Sequence, residues 1–428
     1  MRIVLNYGKD GLPLDLPEDW DVTVIRKPEM PVMADVSAGI MSVLANPVAS
    51  KPLSELAGGR KSACIAICDI TRPVPNSVLL PSVIRQLIDS GISQKAINII
   101  IATGLHRPCD GKELSELIGD KWILENIQIE NHFARRDEDH VHLGTTSRGT
   151  PAWIDKRFVE ADLRIVIGLV EPHLMAGYSG GRKLITPGLA HVQTITRLHS
   201  AEFLENENTA NCTLAGNPVH EEQIEILRMA GEIYAVNTVI DENRRLSYVN
   251  FGEAEASHLA AVDYLNKYAI VPVPERFSTV VTTCAGYPLD ATFYQACKGL
   301  VAAMDLVKPG GNLIIAAECS EGIGSSEFIE SQKCFLNLGR VRFLKHILSR
   351  RHANIDEWGT QLLIKAMRHA EISLYSTGLN SAEKTLTGLM AVTSLTDAIR
   401  KSIEASGDDK IAIVPEGPYV IPELNAAC

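Results

Sequence analysis

Two α/β domains with mainly parallel sheets are what this chain predicts, and three observations carry that expectation. Unbroken β-type runs at Ala63–Cys68, Ile97–Ala102 and Leu163–Val170 read as strands buried on both faces. Helical periodicity over Val78–Ser90 separates the first two, which gives the strand, loop, helix, strand order of a parallel βαβ unit. The alternation then starts afresh after Ile270-Val-Pro-Val-Pro-Glu275, where two prolines interrupt an extended run and mark a linker.

The elements follow in order. Ile3–Tyr7 and Leu12–Leu16 form a β-hairpin around a Gly8–Gly11 turn, and a short strand lies near Val22–Ile25. Ala63–Cys68 ends at Asp69-Ile-Thr-Arg72-Pro73-Val-Pro75, where the prolines forbid further ladder pairing. Val192–Leu204 reads as a helix. Beyond the linker come a strand at Thr279–Thr283, a helix at Ala291–Met304, a turn at Lys308–Gly311 and a strand at Asn312–Ala317. Helices around Val341–Leu348 and Glu357–His369 and strands near Ile372–Tyr375 and Lys410–Val414 complete the pattern. This divides the chain into an N-terminal domain over 1–269 and a C-terminal α/β domain over 270–428. The extreme C-terminal segment is free to pack back on the first domain.

Bulk properties narrow the function. At 428 residues the chain has room for two or three domains with real cores. A net charge of -11 argues against nucleic acid or an anionic membrane as the main partner, while leaving room for a local basic pocket. The opening Met1–Gly8 segment is too short and polar for a signal peptide, and no apolar run approaches a membrane span. Nine cysteines without a CxxC pair read as free thiols in a reducing cytoplasm.

Candidate chemistry gathers past the carboxyl ends of the strands, where open α/β sheets put their ligands. Asp69 to Arg72 follows one strand, and arginine binds carboxylate or phosphate through its planar fork. A local Asp–Arg pair bracing the turn is the plainer alternative. His106 follows the next strand and His173 the third, so both are expected to converge on one crevice as an acid/base pair. Gly177-Tyr-Ser-Gly-Gly-Arg-Lys183 resembles a phosphate cradle. Leu184 after the lysine departs from the Walker pattern, and a mobile loop is the plainer alternative. His199 lies towards the end of the Val192–Leu204 helix. His140-Val-His142 has metal-like spacing on a polar loop without nearby carboxylate geometry. Gln295 and Lys298 are i,i+3 neighbours on the first helix after the linker, and a solvated helix face is the plain reading of them.

The ordered set resembles the lactate racemase family, whose enzymes use a nickel-pincer nucleotide. The motifs are Asp69-Ile70-Thr71-Arg72-Pro73-Val-Pro75, Gly104-Leu-His106-Arg-Pro108, Glu171-Pro-His173, Gly177-Tyr-Ser-Gly-Gly-Arg-Lys183, His199, and Tyr294-Gln295 with Lys298-Gly299. The resemblance implies two α/β domains with the active site in the inter-domain cleft. It implies a cofactor, pyridinium-3,5-bisthiocarboxylic acid mononucleotide, that clamps nickel through two sulfurs and a ring carbon and is linked to Lys183. His199 matches the protein's nickel ligand. Asp69, Ile70, Thr71 and Arg72 match a cofactor-binding turn, and Arg72, Gln295 and Lys298 match substrate contacts. His106 and His173 match the catalytic acid/base pair, and Trp358 matches a cleft tryptophan. The implied activity, racemase or epimerase, inverts C2 of a 2-hydroxy acid by transient hydride transfer, with cofactor-biosynthesis proteins as transient partners; the family's substrates include larger 2-hydroxy acids and sugar acids. Leu105, Arg107, Met175 and Tyr294 occupy specificity positions without selecting one substrate. Read from the residues alone, a phosphoryl transferase or nucleotide-binding enzyme using the 177–183 loop stays open. So does a non-catalytic carrier of an anionic metabolite or nickel cofactor.

Overall fold

A computed structural model describes residues 1–424. The chain forms two compact units, and each is built from separate stretches. The first unit joins Glu29–Leu198 to Thr213–Lys267. The second joins Met1–Pro28 and His199–Cys212 to the stretch from Tyr268 onward. The mixed α/β class with mostly parallel strands is as expected.

The first unit carries a six-stranded sheet in the order Leu246–Glu253, Tyr234–Ile240, Leu163–Leu169, Ala63–Cys68, Ile97–Ala102, Gln128–Asn131. Every neighbouring pair is parallel except the first. From the central Ala63–Cys68 strand the chain moves outward to one side through Ile97–Ala102 and Gln128–Asn131. It then returns to the other side with Leu163–Leu169. The order reverses between Ala63–Cys68 and Leu163–Leu169, which makes that gap the topological switch point of the sheet. The pairs Cys68↔Ala102 and Ile67↔Ile167 end these three strands almost level. Apolar side chains alternate onto both faces and meet helices such as Asn76–Asp89, so the strands read as continuous apolar runs.

The second unit carries its own six-stranded sheet, in the order Met390–Val392, Glu371–Tyr375, Val307–Ala316, Phe277–Thr283, Lys410–Val414, Asp21–Val24. All its pairs are parallel. The N-terminal 28 residues therefore group with the C-terminal half, against the expected boundary. Asp21–Val24 completes the ladder beside Lys410–Val414. The hairpin formed by Arg2–Leu5 and Leu12–Asp15 buries Ile3, Leu5 and Leu14 against Val281, Ile314 and Ile413. Edge pairing and apolar burial over so long a sequence separation leave no local signal.

Three further expectations need correction. The linker is a strand: Ile270–Val273 pairs parallel with Ile421–Leu424, a two-stranded ladder where proline is tolerated. The C-terminal segment thus pairs inside the second unit. Lys308–Gly311 is not a free turn but the irregular first half of Val307–Ala316, where the register shifts between Phe277 and Thr279. The Val192–Leu204 helix breaks into Val192–Leu198 and Ala201–Leu204, with Ser200 extended between them. Among the described residues no helix is long and apolar enough to cross a membrane. The eight described cysteines are free thiols, and Cys428 lies outside the described residues.

Candidate active site

Three neighbouring strand ends of the first unit supply an ionic cluster. Asp69 follows Ala63–Cys68 and is 5% exposed. Its Oδ1 accepts from the Thr71 amide at 3.1 Å and from the Thr71 hydroxyl at 2.5 Å. Its Oδ2 lies 2.6 Å from His106 Nδ1 at the end of the adjacent strand. Burial alone would raise the Asp69 carboxyl. The charge and hydrogen bond of His106 outweigh it, with help from Thr71 and Arg72, and hold the pKa at about 2.

Arg72 does not pair with Asp69 as a local brace. It reaches across the switch point to Glu171, which follows Leu163–Leu169, and the two form a close ion pair. Glu171 is buried, and its amide donates to Ser179 Oγ at 3.0 Å. Guanidinium carries five donors, so an ion pair with one carboxylate leaves it able to grip a second anion.

Pro172–His173 pairs antiparallel with Gly177–Tyr178, so His173 occupies one arm of a very short hairpin. Its Nδ1 accepts from the amides of Met175 and Ala176, each at 3.2 Å. The following loop is closed and packed rather than mobile. Gly177 and Gly180 have φ of +75° and +81°, and a Cβ at Gly177 would strike the Thr213 carbonyl. The amides of Ser179, Lys183 and Leu184 already donate to Glu171, Gly180 and Gly181. These glycines thus serve close backbone packing more than a phosphate cradle. Lys183, half-buried, ends the loop where the widened helical turn Leu184–Gly188 begins.

In the second unit, Thr292 caps the Phe293–Ala303 helix that bears Tyr294, Gln295 and Lys298. Gln295 and Lys298 are half-buried rather than a solvated face, and Gln295 Oε1 is buried without a hydrogen-bond partner. Leu300 and Met304 pack in the core. The Trp358 indole donates to Tyr294 Oη at 2.6 Å. His199, half-buried in the break between two short helices, lays its ring on Trp358 with centroids 4.5 Å apart. Burial and the Asp356 carboxylate push the Tyr294 phenol well above its ordinary pKa.

The structure brings Asp69, Ile70, Thr71, Arg72, His106, His173 and Lys183 onto one edge of one sheet. Gln295, Lys298, Trp358 and His199 belong to the second unit and are described there only. Sequence reasoning missed Glu171 as the partner of Arg72 and Asp69 as the partner of His106. Strand ends separated by tens of residues carry no pairing signal until the sheet order is known. His140 is buried between the rings of His132 and His191, at 5.0 and 4.9 Å, rather than on a polar loop. Asp155 and the Ala190 carbonyl hold the two nitrogens of His132. Among the described residues no group of three or more His, Cys, Asp or Glu side chains is placed to hold a metal ion.

Comparison with known proteins bears on the whole chain. Residues 7–211 match the lactate racemase N-terminal domain and residues 274–421 the lactate racemase C-terminal domain. A lactate racemase of Thermoanaerobacterium thermosaccharolyticum is 32% identical over 98% of this chain and 99% of its own. That of Lactiplantibacillus plantarum is 32% identical over 88% and 89%. The apoprotein structure of the Thermoanaerobacterium thermosaccharolyticum lactate racemase superimposes with a TM-score of 0.91, covering 99% of this chain and 100% of that one. A Thermotoga maritima protein, 17% identical with a TM-score of 0.68 over 93% of this chain and 100% of its own, shares the fold. The chain belongs to the lactate racemase family and is an isomerase, a racemase.

Proposed function

We propose that the protein inverts C2 of a 2-hydroxy acid, lactate being one candidate, with a nickel-pincer nucleotide as its cofactor. The observation that carries this reading is the likeness to two lactate racemases over 98% and 88% of the chain, together with the His106–Asp69 dyad at the sheet edge.

The residues fit the cofactor by their donor chemistry. One imidazole does not hold nickel firmly by itself, whereas a group bringing two sulfurs and a carbon leaves a position that His199 would fill. Lys183 would anchor the nucleotide through its amine, and the packed 177–183 loop fixes where that amine starts. The turn Asp69–Arg72, braced by Thr71 on Asp69, would also meet the cofactor.

When bound, the cofactor supplies the acceptor for the C2 hydrogen and its electron pair, which avoids a carbanion at an unactivated carbon. The remaining work falls to side chains. Arg72 holds the substrate carboxylate, and Gln295 and Lys298 match substrate contacts of the family. His106 takes the hydroxyl proton of one enantiomer at Nε2, leaving a 2-keto acid, and His173 serves the opposite face. Net proton count is conserved, since each proton removed is matched by one returned to the substrate oxygen.

The test is a panel of single-enantiomer 2-hydroxy acids and aldonic acids, given to cofactor-loaded protein and resolved by chiral chromatography. Inversion at C2 of at least one member is expected. No inversion across the panel, with the cofactor demonstrably bound, overturns the proposal.

A further inference from the structure

We propose that the two histidines are locked in opposite tautomers, His106 with its proton on Nδ1 and His173 with its proton on Nε2, and that Asp69 is the positioning residue that sets His106. They are therefore not an interchangeable pair. The catalytic consequence rests on the function proposed above, whereas the tautomers rest on geometry within the first unit alone.

His106 is fixed from the Nδ1 side. An ionised carboxylate has only acceptors, so Asp69 Oδ2 at 2.6 Å requires a proton on His106 Nδ1. In the neutral ring the acceptor lone pair is then on Nε2. The carboxylate cannot swing away easily, because the Thr71 amide and hydroxyl both hold its other oxygen.

His173 is fixed the other way. Two backbone amides point at its Nδ1, and an amide N–H is only a donor. Nδ1 must be the acceptor, so the neutral ring carries its proton on Nε2. The peptide that supplies the Ala176 donor is itself tied, since buried Asn217 donates to the Met175 carbonyl at 2.9 Å, and fully buried Arg182 holds the next carbonyl, that of Ala176, at 2.7 Å. A proton on Nδ1 would meet two N–H groups head on. His173 is thus set in the Nε2–H tautomer.

The resting protein is accordingly set for the enantiomer whose hydroxyl meets His106. For that enantiomer the hydroxyl proton passes to His106 Nε2 while His173 keeps its Nε2 proton and donates a hydrogen bond with it. The other enantiomer needs a bare His173 Nε2, which requires breaking the two amide hydrogen bonds. Enantiomers of a substrate with one stereocentre have equal free energies, so kcat/KM must be equal in the two directions. The asymmetry appears instead as different kcat and KM for the two enantiomers, in fixed ratio.

Long-range proton–nitrogen correlation spectra of full-length protein labelled with 15N-histidine read tautomers directly. His106→Gln and His173→Gln variants assign the two rings by loss of signal. Near pH 8 we expect the Nδ1–H pattern for His106 and the Nε2–H pattern for His173. In Asp69→Asn, Thr71 holds the amide oxygen, so the NH2 group faces His106 and drives it to the Nε2–H form, with His173 unmoved. The same tautomer for both wild-type rings, or an unshifted His106 in folded Asp69→Asn, overturns the proposal. Should Asp69→Asn fail to fold, the wild-type spectrum still decides. In cofactor-loaded protein, Asp69→Asn should lower kcat/KM by about 10²–10⁴-fold, by the same factor for both enantiomers. Opposite tautomers with undiminished racemisation in that variant would uphold the tautomer assignment and remove His106 from the reaction, which is a failure of the proposed function alone.

Discussion

The two units carry sheets of the same size and nearly the same construction, yet their strand ends are used differently. In the first unit the ends of the central strands present ionisable groups: Asp69 with His106, and Arg72 with Glu171. In the second, the corresponding ends are closed by structural bonds. Buried Asp290 accepts from the amides of Gly8 and Glu318 at 2.7 and 3.1 Å, and the Tyr7 hydroxyl meets Thr377 at 2.6 Å. The candidate chemistry of the second unit moves instead to a helix, Phe293–Ala303, and to the break at His199. One architecture therefore offers a strand-end site without obliging the chain to use it. What decides is whether the carboxylates there face titratable partners or backbone amides.

The sharpest way to break this comparison is at the histidines. In cofactor-loaded protein, His199→Ala should lose nickel and all racemisation. His106→Ala and His173→Ala should keep nickel and lose about 10²–10⁴-fold in rate. Metal analysis alongside kinetics reads both. Nickel kept in His199→Ala, and lost from either of the others, would reverse the roles assigned to the two units.

Next in size is a change at the closed strand end. Asp290→Ala leaves two amides without their acceptor and should cost about 2–3 kcal/mol of stability in urea titration. Its kcat should stay near wild type in the fraction that is folded. A large kcat loss with stability unchanged would show that this end is functional after all.

The smallest effect concerns pH. Asp69 has a folded pKa of about 2 against an ordinary value near 3.9. A depressed carboxyl pKa contributes stability that is fully present above the unfolded value and drains as pH falls through the folded one. The stability difference between wild type and Asp69→Asn should therefore shrink by roughly 2 kcal/mol between about pH 4 and pH 2. A difference that stays constant over that range would mean that the His106 partnership does not stabilise the charged carboxylate.

Much of the fold was legible in the chain, as was the position of several candidate residues relative to strand ends. Ala63–Cys68, Ile97–Ala102 and Lys410–Val414 coincide with their predicted bounds, because a strand buried on both faces must be apolar throughout. His106, His173 and Lys183 were placed past strand ends by the same reasoning, since glycine and proline end the ladder there. Tertiary structure alone decided the rest. It moved residues 1–28 to the second unit and made a strand of the proline-rich linker, because edge pairing is chosen by whichever ladder lies open in space. It also chose partners: Glu171 for Arg72, Asp69 for His106, and two turn amides for His173. A residue type states which protons it can hold, but strand order and turn geometry determine which neighbour reaches which nitrogen.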